Sequence, residues 1–235
     1  MRDAVLITGA AKRIGKSIAL LLAVLGFDVA VHYNRSKKEA LQTAGEIESY
    51  GVRCELFSCD LSSEKKVRPL VSAVLKKFPN LSLLINSASI FEKSSLTDSR
   101  AFDRHFRVNF KTPYILSSEF AKICKQGQII NILDTHITQN KSAFAAYLLS
   151  KKSLADFTKL AAVEFAPHIR VNAIAPGLIL PPKGVKDAYL QRLSKRIPLQ
   201  KPGNTSQVAL TVQFLVENNY ITGQTIFVDG GEHLI

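Results

Sequence analysis

The stretch from Val5 to Gly15, Val5-Leu6-Ile7-Thr8-Gly9-Ala10-Ala11-Lys12-Arg13-Ile14-Gly15, decides the fold of this chain. An apolar run at Ala4–Ile7 predicts a buried strand, and the apolar periodicity of residues 14–25 predicts a helix. In the turn between them, Gly9 and Gly15 would allow a ligand close to the backbone. A helix N-terminus behind such a turn binds anions through free N–H groups and the helix dipole. We therefore predict a phosphate cradle, with a plain structural turn as the alternative.

The end of the next predicted strand, residues 27–33, indicates which dinucleotide the cradle would bind. The glycines alone are a weak signal, because Arg13 stands where the G-x-G-x-x-G fingerprint would have its middle glycine. NAD-binding sites carry an acidic residue about 20 positions later, which binds the ribose 2′-OH. This chain has Arg35 and Ser36 there instead. Because a guanidinium can bind a 2′-phosphate that a carboxylate would repel, we predict NADPH as the cofactor; a solvated turn is the alternative.

Length and composition fit one α/β domain of 235 residues, of which 46% are hydrophobic and 21% charged. Three cysteines without metal-ligand spacing predict buried thiols in a reducing compartment. The first strand begins almost at once, and the longest apolar run, residues 18–27, is too short to cross a bilayer, so we expect a cytoplasmic protein without membrane partners. The net charge of +12 predicts a field that attracts anionic ligands. Nucleic acid is not an expected partner, since the basic residues are scattered.

Strand and helix patterns alternate along the whole chain, which is typical of a parallel sheet with helices on both faces. We predict an α/β fold, a single-domain Rossmann-type doubly wound parallel sheet over residues 1–235. Residues 1–175 would form the cofactor-binding core with the catalytic residues, 176–205 a substrate lid, and 206–235 a closing helix and strand. The further predicted strands cover residues 52–58, 81–85, 128–133, 169–175 and 224–228, and the further predicted helices cover residues 37–50, 62–78, 97–125, 143–165 and 206–217.

Polar and aromatic residues gather at the carboxyl ends of the predicted strands, where open parallel sheets bind their ligands. Asp60 could accept a hydrogen bond from an adenine amino group or cap the next helix, and the sequence favours neither. Besides the glycine turn, the residues at this edge are Arg35, Asp60, Ser89, Phe91, Asp134, Pro176 and Gly177.

Tyr147 and Lys151 lie one turn apart on a predicted helix and therefore share a face. An ammonium group beside a phenol favours the phenolate, so we expect Lys151 to lower the pKa of Tyr147 and prepare it for proton transfer near neutral pH. Such a pair is often a coincidence of the surface. Asp134, at the end of the adjoining strand, strengthens the catalytic interpretation.

These motifs resemble the short-chain dehydrogenase/reductase family along essentially the whole chain. The chain looks most like the pteridine reductase branch, which includes dihydromonapterin and dihydrofolate-type reductases. The family resemblance rests on the glycine turn, Asn86-Ser87-Ala88, Asn109, Tyr147-x-x-x-Lys151, Pro176-Gly177 and Ile221-Thr222-Gly223. The finer match rests on Arg13 in place of a glycine, the segment His32-Tyr33-Asn34-Arg35-Ser36, Phe91, and Asp134 where most members have serine.

The resemblance implies NADPH-dependent reduction of pterin C=N bonds, from dihydropterin to tetrahydropterin, with dihydrofolate as a related substrate. Asp134 and Tyr147 would relay a proton to the ring nitrogen. Lys151 would hold the nicotinamide ribose, and Asn109 would anchor a water or a backbone kink linking Lys151 to solvent. The implied substrate-binding residues are Arg13, Ser89, Phe91 (stacked on the heterocycle), Asp134, Tyr147 and Leu178. The implied cofactor-binding residues are Gly9, Arg13, Ile14, Gly15, His32, Tyr33, Asn34, Arg35, Ser36, Asp60, Leu61, Asn86, Ser87, Ala88, Tyr147, Lys151, Pro176 and Gly177.

Several positions depart from the family pattern or have an open interpretation. Ser87 stands where the family commonly has asparagine, and Ile179 stands where it often has a small polar residue. No histidine has a partner at metal spacing, so we expect no metal, and His136 is expected to be a bystander or a residue of the rim. Basic lid residues could attract the glutamate tail of a folate or form a solvated face; they are Lys183, Lys186, Arg192, Lys195 and Arg196.

Two other functions remain in competition with pterin reduction. The first is a carbonyl reductase acting on a non-pterin ketone or an acyl thioester, which Asp134 together with Phe91 argues against. The second is a non-catalytic NADPH-binding protein, which the joint presence of Asn109, Tyr147 and Lys151 argues against. By the family's habit we expect a homotetramer, with the long helices as its interface.

Overall fold

A seven-stranded parallel sheet forms the centre of the chain in the computed structural model, which describes residues 2–181 and 188–235. The strand order is β3-β2-β1-β4-β5-β6-β7, so the order reverses beside β1 and opens a crevice at the carboxyl ends of β1 and β4. The predicted fold class is confirmed. The strands are β1 Ala4–Ile7, β2 Asp28–Tyr33, β3 Cys54–Ser58, β4 Leu81–Asn86, β5 Gly127–Ile132, β6 Ile169–Pro176 and β7 Thr225–Val228.

Helices cover both faces of this sheet. On one face, α1, α2 and α9 pack against Val5, Ile7 and Ile85; on the other, α4, α6 and α7 pack against Leu6 and Leu84. Strands buried on both faces explain the continuous apolar runs of the sequence. The helices are α1 Arg13–Val24, α2 Lys37–Glu48, α3 Glu64–Val67, α4 Leu70–Lys77, α5 Ser99–His105, α6 Thr112–Ile123, α7 Ala145–Glu164, α8 Ala188–Ser194 and α9 Thr205–Glu217.

Two of the predicted helices are interrupted in the structure. The helix predicted over residues 62–78 is divided into α3 and α4 at Pro69, which has no N–H to continue the hydrogen-bond ladder. The helix predicted over residues 97–125 is divided by a π-helix at Phe106–Lys111 between α5 and α6. The π-helix buries Asn109 completely and so brings its amide toward the site.

The predicted lid is only partly described. Its residues Pro182, Lys183 and Lys186 lie outside the described part, whereas α8 with Arg192 lies within it. Across residues 2–181 and 188–235, no helix is both long enough and apolar enough to cross a membrane.

Candidate active site

The turn after β1 is shaped by two glycines and one strained arginine. Gly9 has a φ of +70°, and a Cβ built on it would lie 3.1 Å from the Cα of Ala88. A Cβ on Gly15 would lie 2.5 Å from the carbonyl oxygen of Gly9. Arg13 has a φ of 58°, which lies in the left-handed region that a residue without a Cβ adopts most easily. This explains why the general fingerprint has a glycine at this position. Its guanidinium donates to the carbonyl of Pro181 at 3.0 Å, at the edge of the predicted lid.

His32 supports this turn from behind and does not face the crevice. The ring is buried, with Nδ1 accepting from the Gly9 N–H at 3.1 Å and Nε2 donating to the carbonyl of Cys59 at 2.9 Å. Burial lowers the pKa of His32, so the ring is neutral. The prediction of a cofactor-binding His32 side chain is therefore corrected, because both of its nitrogens are already bonded within the protein.

Thr8 joins the turn to the end of β4. Its Oγ1 accepts from the backbone N–H groups of Ser87 and Ala88, at 3.0 and 3.1 Å. Asn86 is buried, and its amide donates to the Asn131 side chain at 2.9 Å across the adjoining strand. These contacts hold the predicted Asn86-Ser87-Ala88 segment against the cradle. The Asn86 side chain contributes to the packing between β4 and β5.

A basic rim follows β2. Arg35 and Asn34 are exposed there, Tyr33 is half-buried, and the Nζ of Lys12 donates to the hydroxyl of Ser36 at 2.7 Å. The sequence does not indicate that Lys12 belongs to the cofactor site, because only the fold places the turn after β1 beside the end of β2. Arg35, Ser36 and Lys12 together are able to bind a phosphate group.

The neighbouring Asp60 caps a local turn. Its Oδ1 accepts from both the backbone N–H and the hydroxyl of Ser62, at 3.0 and 2.8 Å, and these bonds lower the pKa of Asp60. Asp60 does not cap the next helix, whose N-cap is Ser63, and its predicted contact with an adenine amino group stays a prediction. Leu61 beside it is buried.

Asp134 and Tyr147 form the hydrogen-bonded centre of the site. The Tyr147 hydroxyl donates to Oδ2 of Asp134 at 2.7 Å. Asp134 follows β5, while Tyr147 and Lys151 project from the first half of α7. Lys151 is buried, and its Nζ donates to the carbonyl of Ile132 at 2.7 Å, 5.9 Å from the centre of the Tyr147 ring. The fold thus brings together Asp134, Tyr147 and Lys151, three of the four residues predicted from sequence as catalytic; the fourth is Asn109.

The predicted pKa of Tyr147 is wrong in direction. Burial raises the pKa of Tyr147 well above its usual value, and the Asp134 carboxylate raises it further. Burial also lowers the pKa of Lys151, to about 8, although Asp134 opposes that change. From sequence, only the proximity of Lys151 and Tyr147 could be judged; the burial of both groups could not.

His136 is part of the site and not a bystander. Its Nδ1 lies 2.7 Å from Oδ1 of Asp134, and its Nε2 lies 3.2 Å from Oε1 of Glu232. Burial opposes the charged ring, yet the hydrogen bonds to both carboxylates raise the pKa of His136 to about 9. Burial likewise opposes the charged form of Asp134, but bonds from His136 and Tyr147 lower its pKa below the usual value. Glu232 lies near the other end of the chain, so the sequence carried no signal of this contact.

Asn109 lies in the π-helix between α5 and α6, and its side chain holds the loop after β4. Its Oδ1 accepts from the Ile90 N–H at 2.9 Å and from the Ser89 hydroxyl at 3.2 Å. Its Nδ2 donates to the Ile90 carbonyl at 2.9 Å and to the Ser150 hydroxyl at 3.2 Å. These side-chain contacts place the loop that carries Phe91, and the predicted link from Asn109 through a water or a backbone kink to Lys151 stays a prediction.

Phe91 presents a partly free aromatic surface beside Tyr147. The residue is 53% exposed. Its ring stacks on Phe144 with centres 4.7 Å apart and meets the edge of the Tyr147 ring at 4.8 Å. Ser94 fixes this arrangement, because its hydroxyl accepts from the N–H of Ala146 at the start of α7. Phe144 was not identified from sequence, where an isolated aromatic residue carries no functional signal.

The segment after β6 closes the site from the opposite side. Pro176 ends the strand, and a Cβ on Gly177 would lie only 2.6 Å from the Cβ of Asp229. Leu178 is half-buried, whereas Ile179 is buried in the core and so belongs to the packing.

Within residues 2–181 and 188–235, no group of three or more His, Cys, Asp or Glu side chains could hold a metal ion.

The fold and this Asp-Tyr-Lys site define an oxidoreductase, and the chain belongs to the short-chain dehydrogenase/reductase family. Residues 9–233 match the family profile described as enoyl-(acyl carrier protein) reductase. The uncharacterized oxidoreductase YohF of Escherichia coli (strain K12) is 34% identical over 98% of this chain and 96% of its own length. The 3-oxoacyl-[acyl-carrier-protein] reductase FabG of Staphylococcus epidermidis is 32% identical over 100% of both chains.

A solved structure resembles the chain more closely in sequence than either of these relatives. It is FolM alternative dihydrofolate reductase 1 from Brucella suis in complex with NADP, with a TM-score of 0.94 and 38% identity. The match covers 99% of this chain and 96% of the Brucella chain. The relatives therefore agree on the family and differ in the substrate class that their names carry.

Proposed function

We propose that this protein is an NADPH-dependent reductase of pterins that converts dihydropterins to tetrahydropterins, with dihydrofolate as a related substrate. The observation that carries the proposal is the 2.7 Å hydrogen bond between Tyr147 and an ionised Asp134. A carboxylate at this point would oppose the negative charge that develops on a ketone oxygen. It suits a C=N bond, whose nitrogen must gain a proton.

The chain's own residues supply that proton. The Tyr147 hydroxyl, held by Asp134, would donate to the ring nitrogen, and the buried Lys151 ammonium would stabilise the phenolate left behind. When bound, NADPH supplies a hydride to the neighbouring ring carbon. The balance is one hydride and one proton added to the C=N bond, with NADP⁺ and the tetrahydropterin as products.

The residues present fit NADPH. A glycine at position 9 lets the turn pack against Ala88, and the N-terminus of α1 behind this turn would bind the cofactor phosphates. Arg35, Ser36 and Lys12 would bind the 2′-phosphate. The Brucella structure, which is a complex with NADP, supports this assignment.

Phe91 would provide the platform for the heterocycle. One face of its ring is covered by Phe144, and the residue keeps more than half of its surface exposed beside Tyr147. A flat ring stacked there would lie near the hydroxyl that donates the proton.

The lid, residues 176–205, stays a proposal, as does the division into a core (1–175) and a closing segment (206–235).

A carbonyl reductase is the second candidate, favoured by the 32% identity to the Staphylococcus FabG over the full chain. The charge on Asp134 argues against it, because most family members place a neutral serine there. The third candidate, a non-catalytic NADPH-binding protein, would need no Asp134–Tyr147–Lys151 cluster.

NADPH oxidation assays would separate these functions. The substrates are dihydrobiopterin, dihydromonapterin, dihydrofolate, and a panel of ketones and an acyl thioester. We expect turnover of the pterins, little turnover of the ketones, and loss of most activity in Tyr147→Phe and Asp134→Ala. Ketone turnover that survives in Asp134→Ala would establish the second candidate, and NADPH binding without any turnover would establish the third.

We also propose a homotetramer in the cytoplasm. Apolar side chains on α6 and α7 face outward, among them Tyr114, Leu160 (70% exposed) and Val163 (81% exposed). Burial of such a surface against another copy would remove it from water. The free thiols of Cys54, Cys59 and Cys124 fit a reducing compartment. Light scattering after size exclusion would show a mass of about four chains.

A further inference from the structure

His105 is a buried residue at the end of α5 that contacts two parts of the proposed substrate site. Its Nε2 accepts from the backbone N–H of Glu92, the residue after Phe91, at 3.3 Å. Its ring also packs against the Tyr147 ring, with centres 6.3 Å apart and the two planes inclined by 76°. No motif of the sequence indicates a role for His105, because only the fold brings the end of α5 to this loop and to α7.

The loop that carries Phe91 is held at the residue before it and at the residue after it. Asn109 bonds to both the N–H and the carbonyl of Ile90, at 2.9 Å each. His105 bonds to the N–H of Glu92. Both of these anchors are fully buried, whereas the Phe91 residue between them is 53% exposed. The backbone of Phe91 is therefore fixed from the interior while its ring stays available to a ligand.

The contacts of His105 determine which of its ring nitrogens carries the proton. A backbone N–H only donates, so Nε2 must accept from Glu92 and carries no proton. A carbonyl only accepts, so Nδ1 must donate to the carbonyl of Ala101, at 2.8 Å. His105 is thus a neutral ring in a single tautomer, and a flip of the ring would lose both bonds.

The same ring links the aromatic platform to the proton donor. Tyr147 contacts the ring of Phe91 at 4.8 Å and the ring of His105 at 6.3 Å, both measured between ring centres. His105 in turn bonds to the residue next to Phe91. Because protein interiors are close-packed and aromatic rings prefer particular geometries, a shift of this loop would move Phe91 relative to the Tyr147 hydroxyl.

We propose that His105 is a positioning residue that holds Phe91 where it stacks on a pterin beside the Tyr147 hydroxyl. The proposal rests on the proposed function and deepens it, because it identifies the group that sets the substrate platform. His105 itself would not touch the substrate, since it is fully buried and both of its nitrogens are bonded within the protein. Loss of its bond to Glu92 would loosen Phe91 and weaken pterin binding, and the cofactor cradle after β1 would stay unchanged.

Two substitutions separate the bond to Glu92 from the rest of the His105 side chain. The terminal oxygen of glutamine lies as many bonds from Cα as Nε2 does, so His105→Gln can still accept from the Glu92 N–H. The amide of asparagine lies at the level of Nδ1, so His105→Asn can bond only to the Ala101 carbonyl. Both variants remove the ring and bury an amide. Arg104→Ala is a further control, because it removes an exposed ion pair to the Glu92 side chain, at 3.1 Å, and leaves the backbone bond in place.

The first measurement is the Kd of biopterin for the full-length protein with NADP⁺ bound, followed by the pterin fluorescence. We expect His105→Asn to weaken binding by about fivefold or more, and His105→Gln and Arg104→Ala to stay within about twofold of the wild type. The Kd for NADPH should be the same in all four proteins. Equal affinities of the glutamine and asparagine variants for biopterin would overturn this proposal and leave pterin reduction intact. A wild type that neither binds nor reduces a pterin would overturn the proposed function and this proposal together.

The second measurement asks whether His105 acts through Phe91. In a Phe91→Ala background, His105→Asn should weaken biopterin binding no further, because the group that it positions is gone. An undiminished effect of His105→Asn in that background would overturn the positioning role.

The third measurement needs no variant. In ¹⁵N NMR spectra of the wild type, we expect the His105 ring to carry its proton on Nδ1 and none on Nε2. A proton on Nε2 would exclude the bond to Glu92 and overturn the proposal.

Discussion

The Tyr147 hydroxyl donates to Asp134 at 2.7 Å, so the phenol and the carboxylate are one hydrogen-bonded unit before any substrate arrives. Negative charge on Asp134 and burial together keep the phenol protonated, since both raise the pKa of Tyr147. The phenol therefore holds its proton until substrate binds, and the buried Lys151 ammonium, 5.9 Å from the centre of the Tyr147 ring, would have to offset this raised pKa during proton transfer.

Removal of the phenol should abolish most of the activity. In Tyr147→Phe we expect kcat for dihydropterin to fall by about 10²–10⁴, which is typical for loss of a general acid. Steady-state NADPH oxidation measures the loss. The Kd for NADPH, followed by fluorescence, should change little if the variant is folded; a kcat within twofold of the wild type would remove Tyr147 from the mechanism.

The choice of cofactor should depend on Arg35. Replacement by alanine removes the guanidinium of the rim, so we expect KM for NADPH to rise by about tenfold or more while KM for NADH stays the same. The matched control is Lys38→Ala, an exposed base three residues later, in the first turn of α2. An equal effect of the two variants would mean that the general positive field, and not Arg35, binds the phosphate.

The ion pairs of His136 should stabilise the fold in a definite pH range. Because the native pKa of about 9 lies above the ordinary 6.5, the stabilisation is complete below about pH 6.5 and is lost as pH rises through 9. We expect His136→Gln to be less stable than the wild type by on the order of 1–2 kcal/mol at pH 6 and nearly equal to it at pH 10. Urea unfolding at the two pH values measures the difference, and a difference independent of pH would contradict the ion-pair assignment.

Gly177 should not tolerate a side chain. Alanine would place its Cβ 2.6 Å from that of Asp229, so we expect Gly177→Ala to lower the free energy of unfolding by about 1–3 kcal/mol. Gly45 within α2 is the control, because nothing lies within 4 Å of its Cβ position. Gly45→Ala should raise the stability by about 0.5–1 kcal/mol. Equal thermal stabilities of the two variants would contradict the close approach at Gly177.

Local patterns were sufficient to predict the fold and the closeness of Tyr147 and Lys151. The alternation of apolar runs and amphipathic segments predicted the sheet and its helices, and the spacing of Tyr147 and Lys151 placed them on one face. Local patterns did not predict the π-helix around Asn109, where the family resemblance implied a water or a backbone kink, since the π-helix depends on hydrogen bonds made to a distant loop.

The errors at the site have a common cause in long-range contacts. The pKa of Tyr147 depends on burial and on Asp134, which the sequence places nearby but not in contact. The role of His136 depends on Glu232, brought to it only when the C-terminal segment packs against Gly177. His32 lies in the segment predicted to bind the cofactor. It is still part of the buried strand β2, and its ring is bonded to the Gly9 N–H inside the protein.

The most direct test of the central claim is the ratio of kcat/KM for dihydrobiopterin to that for a ketone, compared between the wild type and Asp134→Ser. If the Asp134–Tyr147 unit protonates a ring nitrogen, the wild type should prefer the pterin, and the serine variant should lose at least about 10² in that ratio. An Asp134→Ser enzyme that keeps the wild-type preference would contradict the account.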